Sequence, residues 1–139
     1  MKIHLKRNEK LFINGAVIRL DRRGSIELMN DAQFLMENHI LQQEDAKTPL
    51  QQVYFIVQTM LMDPANSHLT KYLLDSYSDV LLRFNFSNEY NELIGTIKKL
   101  VQEANYYGAL KLLRQSFQLD QTVGAVLPEP VLNNQYEAA

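Results

Sequence analysis

Six cations, Lys6, Arg7, Lys10, Arg19, Arg22 and Arg23, crowd the opening stretch of the chain and share it with one phenylalanine, Phe12. Basic side chains interleaved with an aromatic ring are the groups that hold single-stranded RNA, the charges on phosphates and the ring under an unstacked base. The charge is strongly uneven. Residues 1–24 carry seven Lys/Arg against two acids, a net of +5, and the rest carries seven against fourteen, a net of −7, for an overall formal charge of −2. An asymmetry of this kind marks a local anion-binding surface rather than a polycation. The competing reading is that long basic side chains splay into water, and the residues alone leave both open. Phe12 has two readings as well: a stacking platform, or a ring buried by the rest of the chain.

Other residue types offer less. His4, His39 and His68 lie far apart, and none has a second histidine or a carboxylate at helical ligand spacing, so no metal site is expected. Asp75 and Asp79 stand four apart and share a helical face, which suits a solvated surface better than an acid–base pair. The chain has no cysteine, which excludes disulfides and thiolate chemistry, and its five glycines are scattered, so no phosphate-cradling loop is present. No nucleophile elbow appears, and no basic recognition helix for double-stranded DNA. A binding protein without cofactor is expected, not an enzyme.

The elements that position the cations follow from periodicity. Asn14-Gly15 favours a two-residue hairpin turn, because both central positions need φ > 0. Folding there pairs residues whose numbers sum to 29: Ile13 with Ala16, Phe12 with Val17, Leu11 with Ile18, Lys10 with Arg19. Extended, the register sets Lys6 against Arg23 and Arg7 against Arg22, although Asn8-Glu9-Lys10 is also a candidate bend. Alternation then places Ile3, Leu5, Leu11, Ile13, Ala16, Ile18 and Leu20 on a core face. Lys2, His4, Lys6, Lys10, Phe12, Val17, Arg19 and Arg23 fall on an opposite, cationic face. Further strands are expected over Ser25–Met29 and Gln33–Glu37, all in one small twisted antiparallel sheet that needs a partner surface.

At Thr48-Pro49 the period changes, with a favoured N-cap followed by a favoured first helical residue. Leu50, Val53, Tyr54, Val57, Met60 and Leu61, with Phe55, Ile56 and Met62 around them, predict a buried central helix ended by Asp63-Pro64. A second helix from Asn66 or Ser67 turns Leu69, Leu73, Tyr77, Val80 and Phe84 to one side. A third, capped by Ser87, carries Tyr90, Leu93, Ile94, Ile97, Leu100, Val101 and Ala104. A fourth runs from about Tyr106 to Leu119, with Tyr106, Ala109, Leu110, Leu113 and Phe117 inward. Tyr54, Tyr72, Tyr77, Tyr90, Tyr106 and Tyr107 fall at core spacing. The fold class is therefore α+β: a β module over 1–46, an antiparallel bundle of about four helices over 47–120, and a flexible tail over 121–139 in which Val126, Leu127, Val131 and Leu132 are apolar. Neither a signal peptide nor a membrane span is expected, which makes the cytoplasm the expected location.

Several segments together resemble the FlbT family of flagellar biosynthesis regulators: Glu9 to Ile18, Asp21-Arg22-Arg23, Thr48-Pro49 leading to Val53-Tyr54-Phe55-Ile56-Val57-Gln58, and Tyr107 to Arg114. Residues 3–43 also resemble, more faintly, the all-β RNA-binding module of the carbon storage regulator type, through Leu5-Lys6-Arg7, Glu9 to Gly15 and Phe34 to Ile40. The FlbT resemblance implies a cytoplasmic post-transcriptional regulator that acts on the leader of flagellin messenger RNA, with the small flagellar regulator FlaF as a partner. The fainter one implies a dimer that reads RNA with basic residues on its outer strands. The chain departs from these patterns at Met36-Glu37-Asn38 and Leu50-Gln51-Gln52, where basic residues are expected. That concentrates positive charge on the hairpin. The expected RNA contacts are Lys6, Arg7, Lys10, Arg19, Arg22 and Arg23 on phosphates and Phe12 under a base; the alternative is a protein-interaction module that binds FlaF or flagellin and affects RNA only indirectly.

Overall fold

The computed structural model describes residues 1–126, and across them five short strands precede five helices. The strands are β1 (Lys2–Leu5), β2 (Lys10–Ile13), β3 (Ala16–Arg19), β4 (Gly24–Glu27) and β5 (Phe34–Met36). The helices are α1 (Pro49–Met62), α2 (Ser67–Phe84), α3 (Asn88–Gln102), α4 (Tyr106–Ser116) and α5 (Gln118–Val123). The class is α+β.

At Asn14-Gly15 the chain turns with φ of 47° and 79°, the left-handed values that the two-residue hairpin demands. β2 and β3 then pair as the turn predicts, Lys10 opposite Arg19 and Ile13 opposite Ala16. The single sheet of the sequence reading is replaced by two: β1 with β4, and β3–β2–β5. Asn8 explains the division. It sits at φ 63°, its N–H donates to the Leu20 carbonyl at 2.8 Å, and the Glu9 N–H closes back on the Lys6 carbonyl at 3.1 Å. Residues 21–23 bend opposite this turn. Lys6–Arg23 and Arg7–Arg22 therefore lie in a gap between ladders rather than within one. The register resumes beyond it, with Leu5 opposite Gly24 and Lys2 opposite Glu27, pairs that again sum to 29.

The two faces are not simply apolar and cationic. Ile3, Leu5, Leu11 and Phe34 are buried together in a small core, with Ile13, Leu20, Ile26, Leu28, Met36 and Tyr107 around them; Ala16, beside the turn, is exposed. On the reverse face, Phe12 and its cross-strand partner Leu35 pack against the helices. The bundle thus supplies the partner surface that so small a sheet requires.

Thr48 caps α1 with a reciprocal capping box: its side chain accepts from the Gln51 N–H, and Gln51 Oε1 accepts from the Thr48 N–H. Ten of the fourteen residues of α1 are buried, so it is the central helix. In α2 the buried stripe is Leu74, Tyr77, Ser78 and Leu81, which shares Tyr77 with the stripe predicted, while Leu73 packs at its edge. Leu69 and Phe84 lie to one side of it and are exposed, as is Tyr72 at 76%. Ala104, expected on the core face of α3, instead ends that helix at φ 59° and is exposed. The predicted fourth helix is two: α4 stops at Ser116, and α5 turns so that Asp120 reaches the start of α1. The proposed tail accordingly begins later, because residues 121–123 are helical and Ala125 is buried; Val126 is exposed, and Leu127, Val131 and Leu132 lie outside the described residues.

Three polar clasps fix the β module on the bundle. Gln58 exchanges two hydrogen bonds with the Leu41 backbone, at 2.8 and 2.9 Å. The Tyr54 hydroxyl donates to the His39 carbonyl at 2.6 Å and accepts from Arg114 at 3.0 Å. Gln33 closes the α3–α4 corner, accepting from the N–H groups of Tyr106 and Tyr107 and donating to the Ala104 carbonyl at 2.7 Å. Among the described residues no helix is long and apolar enough to cross a membrane.

Candidate nucleic-acid interface

The interrupted hairpin brings the six sequence-predicted cations to the gap between its two ladders and to the strand ends beside it. Lys10 and Arg19 face each other directly across β2 and β3, and both are exposed. Like charges so placed disfavour strand pairing unless something negative covers them. Lys6 and Arg23 stand at the gap between the two sheets, and Arg7 and Arg22 are exposed at the bends on either side of it. None of the six forms an ion pair among the described residues, where the ion pair found is Asp79 with Lys98 at 3.8 Å. Glu37 comes near Lys10, yet it accepts from the backbone N–H, at 3.4 Å. Among the described residues the six cations of the hairpin are thus left without an ion-pair partner.

Phe12 has a different position from the cations. It is half-buried, packs against the helical core and lines a small cleft with Val17, Leu61 and Met62. The ring serves the seam between module and bundle, which corrects its place on an open cationic face.

The gap between the sheets holds residues that the sequence reading passed over. His4, Leu5, Lys6, Glu9, Arg23, Gly24, Ser25 and Asn38 line an open basin of about 920 Å³. His4 Nδ1 and Ser25 Oγ, on paired strands, are 2.7 Å apart. Glu9, half-buried, accepts the Lys6 N–H through Oε1 at 2.9 Å. The cross-strand register predicts the His4–Ser25 pair. Nothing local announces Asn38, which arrives from the turn after β5.

The perturbed titratable groups lie elsewhere. Burial, reinforced by the Arg114 charge, lowers the pKa of His39 at the seam. In the bundle, burial and the Asp120 carboxylate push the Tyr77 and Tyr90 hydroxyls up. Burial raises Asp120 too, against the hydrogen bonds it accepts from Leu50, Thr48 and Tyr90. None of these groups lines the basin between the sheets. Asp75 and Asp79 are exposed, and among the described residues no three His, Asp or Glu side chains are placed to hold a metal.

Residues 1–123, the β module and all five helices, match the family model described as flagellar protein FlbT. The chain belongs to the FlbT family. It is similar to a Mesorhizobium japonicum protein described as a probable flagellum biosynthesis repressor protein FlbT, 44% identical over 121 residues, covering 87% of this chain and 82% of that one. A Chelativorans protein with the same description is 45% identical over 125 residues, covering 88% and 84%. A Bradyrhizobium diazoefficiens FlbT relative is 41% identical over 123 residues, covering 88% and 90%. No solved structure matches. The FlbT match ends at the last residue of α5, so the family unit includes the buried Asp120 as well as the cationic hairpin.

Proposed function

We propose that this FlbT-family chain regulates flagellum synthesis by binding messenger RNA, with the leader of flagellin messenger RNA as its target and repression as the outcome. The observation that carries this reading is the set of six exposed cations, Lys10 and Arg19 opposite each other across two strands and Lys6, Arg7, Arg22 and Arg23 at the bends beside them, without an ion-pair partner among the described residues. The names of the relatives, flagellum biosynthesis repressors, support the process and its direction. Phosphates satisfy the hairpin; Phe12 belongs to the packing and is set aside as a base platform. The protein works in the cytoplasm, where its messenger is.

A titration of purified protein against flagellin leader RNA at two salt concentrations tests this. Affinity falls with salt, with a log–log slope of roughly −0.7 per neutralised phosphate. Unchanged binding by Arg22→Gln/Arg23→Gln at low salt would refute the assignment.

A second reading has its own observation. Leu69, Tyr72 and Phe84 are exposed on α2, and Phe84 stacks on Phe86 with ring centroids 5.2 Å apart. An apolar face of this kind suits a protein partner such as FlaF, flagellin or a second copy of the chain. In that case complex formation survives the arginine substitutions, while Leu69→Asp/Phe84→Asp abolishes it.

A further inference from the structure

One feature of the basin between the sheets does not fit a plain phosphate cradle. A surface that gathers Lys6 and Arg23 for phosphate gains nothing from a carboxylate beside them, yet Glu9 lines the same basin and is less exposed than either cation. Glu9 makes no ion pair among the described residues. Its contact there is with the Lys6 N–H, and a carboxylate has about four acceptor positions, so capacity remains for a ligand donor. Asn38 adds a side-chain amide to the lining, and the paired His4 and Ser25 add their polar side chains. The volume, about 920 Å³, falls within the range of small-molecule sites, roughly 300–1,000 Å³.

We propose that this basin is a base-reading subsite for single-stranded RNA, selecting a base whose edge sets an amino donor beside a ring acceptor, cytosine or adenine, over uracil. The inference rests on the RNA reading above. Glu9 accepts from the exocyclic amino group, as carboxylates do from the cytosine amino group in duplex readout. The Asn38 amide donates to the neighbouring ring nitrogen. Lys6 and Arg23, exposed in the same lining, take the phosphates on either side. Uracil presents a carbonyl where cytosine presents the amino group, so it meets the Glu9 carboxylate with a lone pair and is rejected although its shape is the same.

Cytosine against uracil isolates that group. Fluorescence anisotropy of the full chain at low salt compares an oligouridine of roughly ten nucleotides, a length within the usual single-strand site, with the same oligomer carrying one central cytosine. The wild type prefers the cytosine oligomer by about tenfold. Glu9→Gln keeps an oxygen for the Lys6 N–H but turns a donor toward the base, so the preference disappears or reverses while affinity for oligouridine holds or rises. Asn38→Ala, an exposed position, reduces the preference and covers the case in which Glu9→Gln does not fold. Salt-dependent binding with no preference between the oligomers overturns the base-reading subsite and leaves the RNA reading standing, as does a preference that either variant retains in full. No binding of either oligomer or of leader RNA overturns both.

Discussion

In the bundle, Asp120 is 2% exposed and both of its oxygens are engaged, by the Leu50 N–H at 2.9 Å and the Tyr90 hydroxyl at 2.8 Å. In the hairpin, Lys10 stands opposite Arg19, both exposed and neither in an ion pair among the described residues. The first arrangement meets a buried carboxyl with hydrogen bonds from within the fold at the start of α1, although burial still outweighs them and raises its pKa. The second leaves a group of cations that no described acidic side chain pairs with. The difference separates charge that builds the structure from charge that the structure presents, and it yields opposite expectations for substitution in the two regions.

The sharpest break comes from Asp120→Ala, which strands a backbone N–H and a tyrosine hydroxyl in the core. Loss of a buried partner costs about 1–3 kcal/mol for each group left unsatisfied, so with two such groups urea unfolding should show destabilisation of about 2–6 kcal/mol. The hairpin answers differently. Arg22→Gln/Arg23→Gln should shift the same unfolding curve by less than about 0.5 kcal/mol, as surface changes do. It should weaken leader-RNA binding by about tenfold, near 1.4 kcal/mol. If the double variant is instead strongly destabilised, the cations belong to the fold and the contrast fails.

Asn14→Ala probes how the hairpin is held. Alanine at φ 47° costs about 1–2 kcal/mol, somewhat more than asparagine pays there. A thermal melt should therefore show a loss of about 1 kcal/mol; a smaller one means that the strands rather than the turn set the register. The mildest effect is a pH trend. Burial holds the Asp120 carboxyl above its ordinary 3.8, so the fold binds that proton more tightly than the unfolded chain does. Its contribution is therefore greatest below about pH 4 and fades as pH rises through the raised value. Asp120→Asn, which does not titrate, should gain on the wild type in denaturant midpoints between pH 4 and pH 7. A gain toward acid would reverse the sign and place the carboxyl in a charge-stabilising site.

Local chemistry made some of this legible in advance. Asn14-Gly15 determines the β2–β3 register residue by residue, and Thr48-Pro49 marks the start of α1, because both signals act within a few residues. Features decided at a distance were not legible. Phe12 alternates correctly but meets the bundle rather than solvent, since alternation says which face a side chain takes and not what covers it. The stripe on α2 is rotated from the predicted one, keeping Tyr77, because Leu69, Leu73, Val80 and Phe84 are as apolar as the residues that are buried; packing against α1 and α3 chose Leu74, Ser78 and Leu81 beside it. The break at Phe117 has no proline or glycine to announce it, and its partner, the start of α1, lies far back in the chain. Within the candidate interface, the cations were visible as residue types, while the basin depends on two opposed bends and on Asn38 arriving from beyond β5.

The interrupted hairpin also constrains how this chain can change length. Partners sum to 29 on both sides of the gap, so the bends at residues 6–9 and 20–23 are matched in residue count. One residue added to either bend alone would turn Ile3 and Leu5 outward and bring Lys2 and His4 into the small core, because side chains alternate with a period of two. Matched additions to both bends would restore the faces and only lengthen the gap. Insertions and deletions here are therefore tolerated in pairs, across strands that are neighbours in space and not in sequence.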